Sequence, residues 1–185
     1  MSTLNLINDS SVDQEVDAIV NAANKHLLGG SGVCGAIFKK AGFDQLTEYC
    51  SKIKTPLNDG DAVITPAFNI ENANYIIHAV GPNFSLTPDS FDALLNAYYN
   101  SLLVLRDNEL HSISFPLISA GIFGGKLSNP VATSTEHCIK AYKLFKENNP
   151  DYEVDVRLCA FTEKEYLSAL EVYNTLYEEE HKLLR

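Results

Sequence analysis

Apolar positions along this chain recur with two periods, about two and about 3.6 residues, and the two alternate from end to end. Residues 3–7 and 18–20 read as strands, the second ending at Asn21. A glycine-dense turn and the apolar opening of a helix follow. Phe43, Leu46, Tyr49, Cys50 and Ile53 then recur at helical spacing. Residues 62–65 and 75–80 are strand-like and rich in β-branched side chains. Thr87 followed by Pro88 predicts a helix start, with a cap and a first-turn proline, and Phe91, Leu94, Leu95, Tyr98 and Leu102 form its stripe. Residues 113–118 predict a buried strand. Asn129 and Pro130 open another helix, with Val131, Thr135, Cys138, Ile139 and Tyr142 on one face. Residues 154–160 are the last strand. Thr162 and Glu165 predict a capping box for a helix using Leu167, Leu170, Tyr173, Leu176, Tyr177 and Leu184.

This order predicts an α/β fold: three layers, α/β/α, around a mixed, mostly parallel central sheet. No repeat or linker interrupts it, so residues 1–185 read as one domain.

Charge narrows the partners. Asp and Glu number 24 against 14 Lys and Arg, a net −10. Such a chain has no bulk attraction for DNA or RNA. An anion would have to be held by local backbone amides. The run Glu178, Glu179, Glu180 reads as a solvated helix face. No apolar run is long enough to cross a membrane, and the first residues lack the features of a secretion signal. The expectation is a cytoplasmic protein. Cysteines 34, 50, 138 and 159 form no C-x-x-C pair and read as reduced thiols. The five histidines show no ligand spacing, and His137 beside Cys138 reads as structural, so neither a metal nor a cofactor is expected.

The chemistry concentrates in residues 17–42, DAIVNAANKHLLGGSGVCGAIFKKAG. A helix entered through a glycine turn offers unpaired N–H groups and a positive dipole end, which suits a phosphate. A second glycine-rich loop, residues 119–125 (SAGIFGG), follows another strand. Ligands of α/β folds sit beyond the carboxyl ends of the strands, and two such loops can grip a diphosphate from both sides. Gly30, Gly32 and Gly35 match G-x-G-x-x-G, but the strand ends far upstream and residues 52–56 lack the ribose-binding acid of a dinucleotide fold. Residues 120–127 imitate a Walker loop without its first glycine or the Ser/Thr after Lys126.

Taken together, VNAAN, GGSGVCGAIFKKAG, DAVITPAF, YIIHAVGP and PLISAGIFGG resemble the macrodomain family, the ADP-ribose-binding module, over nearly the whole chain. SAGIFG is similar to viral macrodomains, GVCGAIFKK to their alphavirus branch, and the layout to bacterial and MacroD-type proteins. The resemblance implies roles residue by residue. Asp9 would accept from the adenine amino group, the alternative being a turn residue; Ser10 would follow with a backbone amide. Phe161 would lie against adenine or pack in the core. Asn24 would hydrogen-bond the distal ribose as the catalytic residue, its amide both donating and accepting. Asn21 would support the turn. Gly30, Ser31, Gly32, Val33, Cys34, Ser119, Gly121, Ile122 and Phe123 would surround the diphosphate and distal sugar, with Ala22 contributing backbone.

Two positions depart from the family pattern. Ser31 stands in the glycine run. Cys34 stands where MacroD-type hydrolases carry an aspartate, and reads as a packing residue rather than a nucleophile. Viral relatives with Cys or Ala there are regarded as hydrolases, so the implied activity is removal of mono-ADP-ribose from acidic side chains of proteins, with O-acetyl-ADP-ribose as a related substrate. A non-catalytic reader of ADP-ribose is the alternative. ADP-ribosylated proteins are the implied partners, and a monomer is the expected form.

Overall fold

A computed structural model describes residues 1–178 of the chain. Leu184 and the Glu179, Glu180 part of the acidic run lie outside the described residues. Six strands alternate with helices in chain order: β1 (Thr3–Ile7), β2 (Ala18–Ala23), α1 (Gly32–Ala41), α2 (Phe43–Ser51), β3 (Ala62–Pro66), β4 (Tyr75–Val80), α3 (Phe91–Asp107), β5 (Ser112–Phe115), α4 (Pro130–Asn148), β6 (Asp155–Cys159) and α5 (Glu163–Tyr173). Short 3-10 turns occupy Ser11–Asp13 and Ile122–Gly124.

The strands form one sheet in the order β1-β6-β5-β2-β4-β3. Among the described residues only the β3–β4 pair is antiparallel. This is the three-layer α/β/α arrangement expected from the alternation. The pleat sorts side chains onto its two faces. Ala18 and Val20 of β2, with Ile77 and Ala79 of β4, join the core beneath α3, α4 and α5. Ile19 and Ala23, with Ile76 and Val80, join the core beneath α1 and α2. Both faces are covered, which is why β4 reads as an apolar run interrupted only by His78.

The helix signals at Asn129 and Thr162 are realised. Asn129 accepts from the Ala132 N–H with Pro130 in the first turn, and Thr162 and Glu165 close a reciprocal capping box. Gly42 separates α1 from α2 with φ of 108°, a conformation open to glycine.

The differences from expectation with a clear local consequence are at β2, β5 and α3, while α2 stops at Ser51 before Ile53 and α5 passes at Asn174 into a π-helix that carries Leu176 and Tyr177. β2 continues to Ala23, pairing Asn21, Ala22 and Ala23 with His78, Ala79 and Val80. β5 stops at Phe115, because Pro116 has no N–H for the ladder. α3 begins at Phe91, not at Thr87. The Thr87 N–H and hydroxyl both donate back to the Asn83 carbonyl, at 3.0 and 3.2 Å, so this threonine closes a turn instead of capping a helix.

Candidate functional site

A mostly apolar cleft of about 460 Å³ opens beyond the carboxyl ends of β1, β5 and β6. Asp9, Ser10, Ser11 and Val12 line one end of it. Gly32, Val33 and Ala36 of α1 form a wall, Pro116, Leu117, Ala120 and Gly121 line the cleft from the segment after β5, and Phe161 and Glu165 flank it. The parallel strands aim their ends here, and the segments after them must reverse direction.

Ser31 occupies the N-cap of α1, yet its hydroxyl caps no N–H group. The first helical bond runs from the Gly35 N–H to the Ser31 carbonyl, at 3.2 Å. The opening N–H groups of α1 are therefore available to an anion in the cleft.

The loop before α1 is tied by Asn24. Its Oδ1 accepts from the His26 and Leu28 N–H groups at 3.1 and 3.0 Å, and its Nδ2 donates to the Leu28 carbonyl at 2.8 Å. Both Oδ1 lone pairs are occupied, so only one N–H of this amide is left for a ligand.

Asn21 does not support the turn. It lies within β2, almost fully buried, with Nδ2 at 3.0 Å from Nδ1 of His78. His78 Nε2 is 3.0 Å from the Thr65 hydroxyl, which donates to the Pro66 carbonyl at 3.2 Å. Asn Nδ2 can only donate, so His78 accepts at Nδ1 and donates from Nε2. Burial pushes the His78 pKa down to about 4, and the ring stays neutral. The unfolded chain would take up this proton near 6.5 and the folded chain only near 4. Stability from this group is thus complete above 6.5 and falls with pH between these values. We expect the His78 ring resonances to hold their neutral-form shifts down to pH 5, as followed by nuclear magnetic resonance.

Cys34 is buried against this network. Its thiol donates to the Leu28 carbonyl at 3.6 Å, sharing that acceptor with Asn24. Burial pushes the thiol pKa up, while the Asn21 amide and the Gly30 backbone pull it partly back. A neutral thiol is a packing group and a weak donor, not a nucleophile.

The second glycine loop is held from behind. Ser119 adopts φ of 60°, unusual for a residue with a Cβ. Its hydroxyl is turned inward, donating to the Pro82 carbonyl at 2.7 Å. The Phe84 N–H donates to the Phe123 carbonyl at 2.8 Å, which docks the loop on the segment after β4. Ile122 projects into solvent, 86% exposed.

Of the residues singled out in the sequence, the cleft brings together Asp9, Ser10, Gly32, Val33, Gly121 and Phe161. Phe161 is 72% exposed, so it is not a core ring. Ala22, Asn24, Gly30, Ser31, Cys34, Ser119, Ile122 and Phe123 lie outside its lining. Val12, Ala36, Leu117, Cys159 and Glu165 line it without having been assigned to the site. Ala36 had a readable signal, one helical turn beyond Val33. Glu165 had another, because a capping box turns that side chain back over its own helix start.

The Macro domain model matches residues 20–133, from within β2 to the opening of α4. This chain belongs to the Macro domain family. Its relatives include a macro domain-containing protein of Caldanaerobacter subterraneus, 39% identical over 180 residues, 95% of this chain and 96% of that one. An ADP-ribose glycohydrolase MACROD1 of Bos taurus is 39% identical over 153 residues, 82% of this chain and 45% of the longer bovine protein. The Oceanobacillus iheyensis macrodomain with ADP superposes with a TM-score of 0.86 at 31% identity, covering 96% of this chain and 93% of that one. Within this macrodomain, the glycine turn, α1 and the 119–125 loop all fall inside the matched span.

Proposed function

We propose that this macrodomain binds ADP-ribose and hydrolyses its ester link to acidic side chains of modified proteins. One observation carries the reading: the uncapped N-terminus of α1 and the 119–125 loop lie across one cleft at the strand ends. A diphosphate between them would meet backbone N–H groups, the donors left to a protein of net charge −10. Adenine would lie toward Asp9, whose carboxylate accepts from its amino group, with the Phe161 ring against its face. The distal ribose would lie toward Asn24 and Phe123.

The reaction breaks the bond between the anomeric carbon and the carboxylate oxygen. Water supplies a hydroxyl to that carbon and a proton to the released carboxyl group. Position 34 offers no carboxylate base, so the rate would come from positioning and from diphosphate charge beside the developing cation. The bovine and Oceanobacillus relatives, named for ADP-ribose hydrolysis and for bound ADP, support this reading. O-acetyl-ADP-ribose presents the same ester chemistry. The four free, buried cysteines suit a reducing, cytoplasmic setting, and we propose a monomer with no DNA partner.

Incubation with a labelled, automodified ADP-ribosyltransferase is expected to release free labelled ADP-ribose. Label left on the protein, with tight ADP-ribose binding intact, would instead assign a reader. The neutral, buried Cys34 is the observation that favours that second reading.

A further inference from the structure

Behind the Asp9 end of the cleft lies a hydrogen-bonded chain that neither glycine loop contains. The Arg157 guanidinium is held by Asp155 Oδ2, at 3.3 Å from Nε and 3.2 Å from Nη2. Its Nη1 donates to Gln14 Oε1 at 3.3 Å. A guanidinium has no acceptor, so it dictates which end of the Gln14 amide faces it. The Gln14 Nε2 is thereby turned toward the cleft. It donates to the Ser10 carbonyl at 3.2 Å and reaches Asp9 Oδ2 at 3.5 Å. Asp9 Oδ1 in turn accepts from the Ser10 N–H at 2.7 Å. Gln14 is only 9% exposed and cannot swing away easily.

We propose that Gln14, oriented by Arg157, is a positioning residue that sets the preference of the site for adenine over purines with a carbonyl at the same position. This rests on the ADP-ribose reading above. A carboxylate held on both sides presents a fixed acceptor direction to an amino group. It repels a carbonyl placed there. A carboxylate free to rotate discriminates less, because its mean geometry toward either base is poor.

Calorimetric titration of ADP and IDP tests this. The wild-type protein is expected to prefer ADP by about tenfold or more, the value of one charge-assisted hydrogen bond. Gln14→Glu keeps the volume and the Arg157 partner but removes both donations. Its ADP-to-IDP ratio is expected to fall about fivefold or more, toward parity. Gln14→Leu and Arg157→Met should move the ratio the same way, while a purely structural role would weaken both nucleotides together. Gln14→Glu and Gln14→Leu proteins that melt like wild type and keep its ratio would overturn the inference. A wild-type protein that binds neither nucleotide, or both equally, would overturn the adenine reading first, and this role with it.

Discussion

Gly35→Ala is expected to lower ADP-ribose affinity by about tenfold or more in a protein that still folds. A Cβ at this position would stand 2.5 Å from the Gly30 carbonyl oxygen and 3.4 Å from its carbon. The obstacle is backbone, so no side-chain rotation relieves it. The helix cannot give way easily, since the Gly35 N–H is bonded to the Ser31 carbonyl. The loop has a wall behind it as well: Gly29 is packed so closely that its own Cβ would meet the Phe43 ring at 2.5 Å. Relief therefore requires the glycine turn to move off α1 by about 1 Å, enough to lose a charge-assisted hydrogen bond to a bound diphosphate, worth about 1.5–3 kcal/mol. Overpacking itself costs about 1–3 kcal/mol, survivable for a domain of this size. Calorimetry with ADP-ribose and a thermal melt separate the two effects. Gly121→Ala is the control for stability, because an added methyl there meets nothing within 4 Å. Wild-type affinity in folded Gly35→Ala protein would show that the turn is not a ligand wall.

The elements that could be read from the sequence are those whose signals are local. β4 shows both of its buried faces in one run that is apolar but for His78. The starts of α4 and α5 depend on side chains within three residues of the cap. The differences have two sources, a nearby residue that overrides the pattern, as Pro116 does at the end of β5, and a partner far along the chain. Asn21 looks like a turn residue until His78, 57 positions away, is placed beside it in the neighbouring strand. Thr87 looks like a cap until Asn83 claims it, while the segment carrying both is pinned to Phe123 from the second loop. The same division holds in the cleft. Its glycine turn and its loop are local patterns. Gln14, held by Arg157 across 143 positions, carries no pattern of its own.

Asn24→Ala is expected to cut turnover of an ADP-ribosylated protein by about 10²-fold or more, while ADP-ribose affinity falls by about tenfold or less. The difference follows from what the amide does. Three of its hydrogen bonds stay within residues 24–28 and shape the loop. The one remaining N–H is the part able to reach a ribose hydroxyl and hold the anomeric carbon in line with water. Removing the side chain loosens the loop and deletes that donor, so two effects combine. Asn24→Asp separates them. Its carboxylate still accepts from the His26 and Leu28 N–H groups, preserving part of the turn, but it donates to nothing and faces the Leu28 carbonyl. If ribose donation governs turnover, Asn24→Asp is as slow as Asn24→Ala despite its better-kept loop. If loop shape governs it, Asn24→Asp recovers much of the rate. Parallel losses of affinity and turnover in both variants would leave Asn24 as a ligand-binding residue with no share in the chemistry, because a catalytic contact must act on the transition state more than on the bound ground state.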